Sequence, residues 1–197
     1  MRSAWAALAV LVLAGCGGFR GAPAADTLQD WSAVPLAPNP ALASQALTAS
    51  VCRGGDAQAG PLQVVLEDRR TAQTAAFLVT GPSWVGSCLI TLSNGNASGG
   101  GSNQPRGPFD GPLALDELSN GGVGAGTASL AGGRIIDGVA AVEVDLPDGR
   151  VVTASVGQRH WLAWWPGDLP ITRLVARSGD GTVLATIDDP IGKMKGQ

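Results

Sequence analysis

The chain has 197 residues and a formal net charge of −3; 45% of its residues are hydrophobic and 15% are charged. This length suits one domain with an adequate core. Charges of both signs are scattered, and no basic run could follow a phosphate backbone, so nucleic acid is disfavoured as a partner. The 29 glycines and 13 prolines predict a chain with many turns.

The first predicted segment is a signal peptide over residues 1–15. Arg2 precedes an apolar run, Ala4 to Leu13, which has half of the roughly 20 residues needed to cross a membrane. The run leads into Leu13-Ala14-Gly15-Cys16, which resembles the lipobox of bacterial lipoproteins. This resemblance implies that Cys16 carries a diacylglyceryl group, with acyl chains such as palmitate, and becomes the mature N-terminus. Cleavage without lipid and an uncleaved anchor are the alternatives.

Residues 16–30 are predicted to form a flexible tether between this anchor and a single β-rich domain over residues 31–190. At about 3.3 Å per residue, a run of about ten small residues reaches at most about 30 Å. Two acyl chains hold a protein at a bilayer more firmly than one. We therefore expect membrane lipid as a partner, through Cys16, and a domain that works close to the extracytoplasmic face of the cell membrane. Residues 191–197 are predicted to be a disordered tail.

Cys52 and Cys88 remain once Cys16 is assigned to lipid. An even pair of cysteines outside the cytoplasm is typical of a disulfide. Closing the loop between them would stabilise the fold by about 3–4 kcal/mol in the chain-entropy model. A redox or metal-binding pair is the alternative, but the sequence has no C-x-x-C motif and a single histidine. The prediction is a structural disulfide.

A helix is predicted over about residues 40–52, near the start of the domain. Asn39 is a favourable N-cap, and Pro40 suits the first helical position. Cys52, at the end of the helix, would join it to the segment that carries Cys88.

Strands and turns are predicted for most of the chain after residue 60. The predicted strands cover residues 62–68, 74–80, 84–92, 113–118, 140–146, 150–156, 160–165, 173–177 and 182–187. Residues 93–108 are polar and rich in glycine, and they are predicted to form a flexible loop; residues 121–126 are another turn-rich passage. The predicted fold class is mainly β, an antiparallel β-sandwich or partly rolled sheet with one N-terminal α-helix.

The last third of the chain shows the clearest hairpins. Pro147-Asp148-Gly149 and Gly179-Asp180-Gly181 each separate two predicted strands, as hairpin turns do. A weak internal similarity relates residues 64–84 to residues 142–161, since each runs from a valine-containing strand to a tryptophan. Duplication would produce two meanders packed face to face, and chance similarity between hairpins is the alternative.

The most distinctive internal motif is His160-Trp161-Leu162-Ala163-Trp164-Trp165-Pro166. In a strand, Trp161 and Trp165 point to one face, and His160 and Trp164 point to the other. One face must be core, because indoles supply large apolar area. The other face is covered by the helix, is exposed as a patch that binds a sugar or a peptide, or contacts the membrane surface. The candidate binding patch is Trp161, Trp164, Trp165 and His160.

No catalytic residue, cofactor or metal site is predicted. His160 is the only histidine, so any Ser-His or Cys-His mechanism would need it, and no G-x-S-x-G motif is present. A glycosidase needs two carboxylates across a cleft. Glu67-Asp68, Asp116-Glu117 and Asp188-Asp189 are paired acids, but each is interpreted as a turn residue or a solvated strand end. The glycine-rich run 122–126 precedes no predicted helix that could hold a phosphate.

Beyond the lipobox, the order of features over residues 31–187 resembles secreted and lipoprotein sequences of high-GC Gram-positive bacteria. The shared features are Trp31 with a proline-rich run, Cys52, Glu67-Asp68-Arg69-Arg70, Cys88 and Trp164-Trp165-Pro166. These families have no assigned activity, so the resemblance implies no catalytic residue. The predicted role is a non-enzymatic binding or accessory module of the cell envelope, with an envelope protein or glycan as partner. The alternatives are a hydrolase of envelope polymers and a structural partner of a membrane protein complex.

Overall fold

The computed structural model of the protein describes residues 28–48, 52, 62–81, 85–93, 96–104, 109, 111–123 and 126–195. The predicted signal peptide, Cys16 and most of the predicted tether lie outside these residues. Among the residues that are described, no helix is long and apolar enough to span a membrane.

The described part of the chain is mainly β. In chain order its elements are α1 (Pro40–Thr48), β1 (Gln63–Arg69), β2 (Thr74–Thr80), β3 (Val85–Ser93), β4 (Asn96–Gln104), β5 (Glu117–Val123), β6 (Gly126–Arg134), β7 (Ala141–Asp145), β8 (Val151–Thr153), β9 (Ser155–Gly157), β10 (His160–Pro166), β11 (Arg173–Arg177), β12 (Val183–Asp188) and α2 (Pro190–Lys195). The strands form three antiparallel sheets: the upper sheet β1-β2-β3-β4, the middle sheet β5-β6-β10-β9 and the lower sheet β12-β11-β7-β8. The predicted fold class is confirmed in its sandwich-like form.

The sheets stack on one another, and three hydrophobic clusters fill the spaces between the layers. Leu42 and Ala46 of α1 pack with Phe77 on one face of the upper sheet. The other face of the upper sheet packs on the middle sheet, where Leu78 and Leu162 belong to one cluster. The opposite face of the middle sheet packs on the lower sheet. The upper and middle sheets are therefore both covered on two faces.

The N-terminal helix begins where the sequence predicts. Asn39 Oδ1 accepts a hydrogen bond from the N–H of Ala41 at 3.0 Å, and Pro40 is the first helical residue, so the predicted cap is confirmed. The backbone N–H of Asn39 also donates to Glu67 Oε1 at 2.7 Å, which ties the start of the helix to β1. The predicted helical residues 49–51 lie outside the described residues.

Both predicted hairpins of the last third are confirmed. Pro147-Asp148-Gly149 joins β7 to β8, and Gly179-Asp180-Gly181 joins β11 to β12. β10 forms where it is predicted, but it pairs with β6 and β9 in the middle sheet, so the chain leaves the lower sheet after β8. In contrast, β1, β2 and β3 are neighbours in one sheet. The segments 64–84 and 142–161 thus differ in topology, which favours chance similarity over duplication.

The predicted flexible loop at residues 93–108 is wrong for its larger part. Residues 96–104 form β4, which pairs with β3 in unbroken antiparallel register. Glycine is unfavourable in strands, and this stretch has no hydrophobic alternation. Each residue nevertheless carries one backbone donor and one acceptor, and in the antiparallel register every second residue of β4 can bond to β3 through both groups. Pairing with a neighbouring strand therefore overrides the local preference.

The next two strands also differ from the sequence-based expectation. The strand predicted at residues 113–118 begins at Glu117 and continues to Val123, through part of the passage predicted as turn. β6 has no predicted counterpart, because most of its residues are small and carry no hydrophobic period. Both strands form because they pair with each other, from Val123 and Gly126 beside the turn to Glu117 and Gly132.

The predicted disordered tail is wrong for residues 191–195, which belong to α2. Asp189 is the N-cap of this helix, since its Oδ1 accepts a hydrogen bond from the N–H of Gly192 at 3.2 Å. Asp189-Pro190 repeats the cap-and-proline signature that correctly predicts α1. The signal for α2 was therefore present in the sequence. Residues 196–197 lie outside the described residues.

Candidate functional site

The predicted tryptophan patch lies on β10, in the interior of the middle sheet between β6 and β9. Trp161 and Trp165 pack in the cluster between the middle and lower sheets, whereas Trp164 packs between the middle and upper sheets. All three side chains have 0% exposure. The exposed binding patch is therefore wrong, and both faces of the strand are core. The cover on the second face is the upper sheet, not the N-terminal helix.

Each of these indole N–H groups donates a hydrogen bond to a backbone carbonyl inside the molecule. Trp161 Nε1 donates to Ala114 O at 2.8 Å. Trp165 Nε1 donates to Leu169 O at 3.1 Å, and Trp164 Nε1 donates to Asp68 O at 2.9 Å. Buried indoles need such partners, so the polar ends of these side chains serve the fold.

His160, the fourth residue of the predicted patch, lies at the first position of β10 and is partly exposed. Its Nδ1 lies 2.8 Å from Gln158 O. Gln158 and Arg159 connect β9 to β10, and both have positive φ angles, of 49° and 61°. The histidine is thus separated from the tryptophans by its place at the strand end, and the four residues do not form one surface.

A buried ion pair, which sequence reasoning missed, connects β1 to the layers below it. Arg70 Nε donates to Asp68 Oδ2 at 2.6 Å, and Arg70 Nη2 donates to Asp68 Oδ1 at 3.0 Å. Both side chains have 0% exposure. Asp68 accepts two further hydrogen bonds, from Ser155 Oγ at 2.8 Å and from the backbone N–H of Trp164 at 3.2 Å. The interpretation of Asp68 as a solvated strand end is therefore wrong.

The remaining N–H groups of Arg70 bind backbone carbonyls from remote parts of the chain. Nη1 donates to Ser32 O at 3.2 Å and to Ala33 O at 2.7 Å. Nη2 also donates to Thr153 O at 2.6 Å. A guanidinium has five N–H donors, and these bonds engage all of them. Arg70 therefore joins the N-terminal segment, the end of β1 and the end of β8.

One sequence signal could have revealed this pair. Asp68 and Arg70 are two residues apart at the end of a strand, a spacing that places side chains on the same face. Opposite charges at this spacing indicate that the two side chains pair, but Glu67 and Arg69 have the same spacing, so the layers that cover β1 decide which pair is buried. What the sequence could not supply is the set of carbonyls contributed by other segments.

The electrostatics of the site follow from burial. Burial raises the pKa of the Asp68 carboxyl, while the charge of Arg70 and the hydrogen bonds from Arg70, Ser155 and the Trp164 N–H oppose that change. Burial also raises the pKa of Glu67, against the hydrogen bond from Asn39. Since the oxygens of Asp68 are occupied by internal donors and sealed from water, this carboxyl has a structural role.

Trp31 fixes the point at which the predicted tether enters the domain. The guanidinium carbons of Arg70 and Arg150 lie 5.8 Å and 5.6 Å from the centre of its ring, within the range of cation–π attraction. Its Nε1 donates to Trp164 O at 3.3 Å. The N-terminal segment is thus held on the middle sheet through both the face and the edge of one indole.

The predicted disulfide between Cys52 and Cys88 is confirmed. The Cα atoms lie 5.1 Å apart, within the usual range for a disulfide, and the two residues are 1% and 0% exposed. The bond lies in the cluster between α1 and the upper sheet. It joins the segment after the helix to β3, as expected.

A second buried acid, Glu117, connects the upper and middle sheets. It is 8% exposed and accepts hydrogen bonds from Ser87 Oγ on β3 and from Ser119 Oγ. Its neighbour Asp116 forms a two-point ion pair with Arg134, with both N–O distances at 2.7 Å. Both acids of the Asp116-Glu117 pair, which a glycosidase could have used, are therefore bonded to other side chains of the protein.

A small cavity lies between β3 and the β5–β6 hairpin. Its volume is about 160 Å³, below the roughly 300 Å³ of a typical small-molecule site. The lining is apolar at Leu89, Val123 and Leu130 and polar at Ser119 and Asn120. This cavity does not contain any of the residues that the sequence predicts for binding.

Comparison with known proteins does not assign a family. No protein-family model, curated protein or solved structure matches the chain. Within the described residues, no group of three or more His, Cys, Asp or Glu side chains could hold a metal ion.

Proposed function

We propose that the protein is a lipoprotein of the bacterial cell envelope, anchored through Cys16 to the extracytoplasmic face of the membrane. The observation that carries this proposal is the buried Cys52–Cys88 disulfide. Disulfides form and persist in oxidising compartments and are rare in the cytoplasm. Export through the predicted signal peptide would bring the chain to such a compartment, and Leu13-Ala14-Gly15-Cys16 would retain it there.

We further propose that the β domain is a non-enzymatic binding or accessory module whose partner is an envelope protein or glycan. The polar groups that enzymes use for chemistry are engaged here in holding layers together, as Asp68, Arg70 and Glu117 illustrate. Because the indoles are in the core, the proposed partner would bind at strand edges, at turns or on the charged outer face of the lower sheet. On that face Arg173 and Arg177 pair with Asp145 and Glu143.

The anchor is tested by replacing its acyl acceptor. In cells fed an alkyne-tagged fatty acid, the natural protein should become labelled and sediment with membranes. Cys16→Ser should lose the label and move to the soluble fraction. The double variant Cys52→Ser, Cys88→Ser is the matched control, because it removes the other two cysteines and should keep the label. A Cys16→Ser protein that remains labelled and membrane-bound would refute the anchor.

The binding role is tested by chemical cross-linking in intact cells, followed by capture of the protein and identification of its neighbours. A protein or glycan adduct that recurs at one face of the β domain supports the proposal. Turnover of purified envelope polymer by the domain, abolished by a single side-chain substitution, would instead support the hydrolase alternative and refute this one.

A further inference from the structure

The lower sheet ends at an edge strand, β12, that is hydrogen-bonded to β11 alone among the described strands. Its exposure is high along its length, and Val183 and Leu184 are 49% and 40% exposed. An edge strand offers unpaired N–H and C=O groups, which are a template for another extended chain. The open edge of β12 would therefore bind another chain in the strand conformation.

The hydrogen-bond pattern shows which residues of β12 face outwards. In an antiparallel pair, residues that bond to the neighbour alternate with residues that do not. The N–H of Asp189 donates to Thr172 O at 3.1 Å, so Ile187 and Ala185 also bond to β11. The N–H and C=O groups of Asp188 and Thr186 consequently point to the open side.

The hydrogen bonds between β7 and β8 give the same alternation. The N–H of Ala154 donates to Val142 O at 2.8 Å, so Val142 and Val144 of β7 bond towards β8, and the residues between them bond to β11. Leu174 and Ala176 of β11 must then bond to β12, and their partners in the register are Ile187 and Ala185. Thr186, which lies between those two, faces outwards.

The opposite edge of the same sheet is blocked. Thr153 of β8 donates its backbone N–H to Ala33 O at 3.0 Å, and its carbonyl accepts from Arg70 Nη2 at 2.6 Å. The N-terminal segment thus occupies this edge. Proteins commonly protect an edge by such a cover, by lysine or by proline. β12, with the sequence VLATID, contains neither lysine nor proline, and its one register shift, at Leu184, leaves Ala185 to Asp188 in regular pairing with β11.

We propose that β12 pairs with β12 of a second copy of this chain, antiparallel and centred on Thr186, so that two lower sheets join into one. The strand is its own complement in this orientation. Its single charge, Asp188, would lie at opposite ends of the two strands, whereas parallel pairing would place two carboxylates side by side. Thr186 would face Thr186 of the second copy, and such cross-strand threonine pairs are favourable.

The inference goes beyond the proposed function and does not depend on the lipid anchor. Strand pairing of this length covers little surface, and small interfaces are weak in solution. Attachment of both copies to one membrane would raise their effective concentration. Loss of the lipid anchor would therefore weaken the association of the two copies, but they would still pair through β12.

The first test is site-specific cross-linking of the full chain in intact cells. Thr186→Cys should yield a covalent dimer with a short bismaleimide, because a residue on a two-fold axis meets its own copy. Val151→Cys is the matched control: Val151 is 48% exposed on the opposite edge strand of the same sheet, and it should remain monomeric. Absence of a Thr186→Cys dimer, or its cross-linking to a different protein, would overturn the proposal.

The second test measures association of the detergent-solubilised full chain by analytical ultracentrifugation over a concentration series. The natural chain should show a monomer–dimer equilibrium. Thr186→Lys should raise the dimer dissociation constant by about tenfold or more, because two like charges would oppose each other across the axis. Val151→Lys, which adds the same charge at the opposite edge, should leave it unchanged. A natural chain that is monomeric throughout, or equal effects of both variants, would refute β12 pairing.

Discussion

Arg70 connects parts of the chain that are remote in sequence, and its five N–H groups are divided among Asp68, Ser32, Ala33 and Thr153. Bringing two charges into a dry interior is costly, and their attraction offsets that cost only when the remaining donors and acceptors are satisfied. Here they are satisfied. The ion pair therefore serves mainly to specify which segments meet. Loss of one of its two partners would destabilise the protein.

Removal of the guanidinium should expose this dependence. Arg70→Met should lower the free energy of unfolding by about 3–5 kcal/mol, because Asp68 would be left as an uncompensated buried charge. In an Asp68→Asn background the same substitution should cost clearly less, since the amide is neutral. Urea denaturation of the four proteins measures the coupling, and equal costs in both backgrounds would contradict the argument.

Two hydrogen bonds set the pH dependence of the Asp180 carboxyl. Hydrogen bonds from Ser178 Oγ and from the N–H of Thr182 lower the pKa of this carboxyl from 3.8 to about 2. A lowered folded-state pKa means that the contribution of the carboxylate to stability is complete above pH 3.8 and is lost as the pH falls towards 2. A carboxyl ¹³C NMR titration should find a midpoint near 2. Ser178→Ala should move that midpoint upwards, and an unchanged midpoint would refute the role of the hydroxyl.

Among the elements, the two-residue turn between β9 and β10 is held in an unfavourable conformation. Gln158 and Arg159 both have positive φ angles, where side chains with a Cβ are disfavoured. Asn-Gly is the preferred pair in such hairpin turns. The ion pair between Arg159 and Asp137 spans 3.9 Å between exposed groups, so its loss costs little.

Replacing this turn should stabilise the protein. The double variant Gln158→Asn, Arg159→Gly should raise the free energy of unfolding by about 1 kcal/mol. Gly149→Ala is the converse control, because Gly149 has a φ of 86° with open space around it, and it should lose about 1 kcal/mol. Thermal unfolding of both proteins distinguishes the conformational effect from packing. Destabilisation by the double variant would show that Arg159 has an additional role.

At the same scale, the elements differ in how far their sequences predict them. α1, the β7–β8 hairpin and the β11–β12 hairpin are marked by caps and turns, which are local signals. α2 starts with Asp-Pro, which is equivalent to the Asn-Pro start of α1, so α2 was predictable from the same signal. The sequence of β4 contains no local signal for a strand. Its strand conformation depends on hydrogen bonds to β3.

The molecule as a whole is a stack of three sheets, and in the middle sheet two strands, β6 and β10, are in close contact. β6 approaches β10 through Gly133, which lies opposite Trp161 in the register. A Cβ at this position would collide with the carbonyl of Ala114 and with the indole N–H of Trp161. The large indoles thus require a small residue on the adjacent strand.

This close approach yields a packing prediction. Gly133→Ala should lower the free energy of unfolding by about 2–3 kcal/mol, because the obstructing atom is backbone and cannot move aside cheaply. Gly121→Ala is the control, since a Cβ there would meet nothing within 4 Å, and its effect should be neutral or slightly stabilising. Urea denaturation measures both. Equal stability of the two variants would contradict the packing of the middle layer.

The sequence by itself determined the fold class of this protein, the start of α1, the later hairpins and the Cys52–Cys88 pair. Strand alternation, turn residues and cysteine number are local properties that a chain carries before it folds. Only the tertiary structure decided that Trp161, Trp164 and Trp165 are core, that Asp68 and Arg70 are buried together, and that a glycine-rich stretch is a strand. The physical reason is that burial and sheet pairing depend on which distant layer covers a face, and the apolar run of β10 has the same sequence whether its second face meets the helix, a binding partner or another sheet.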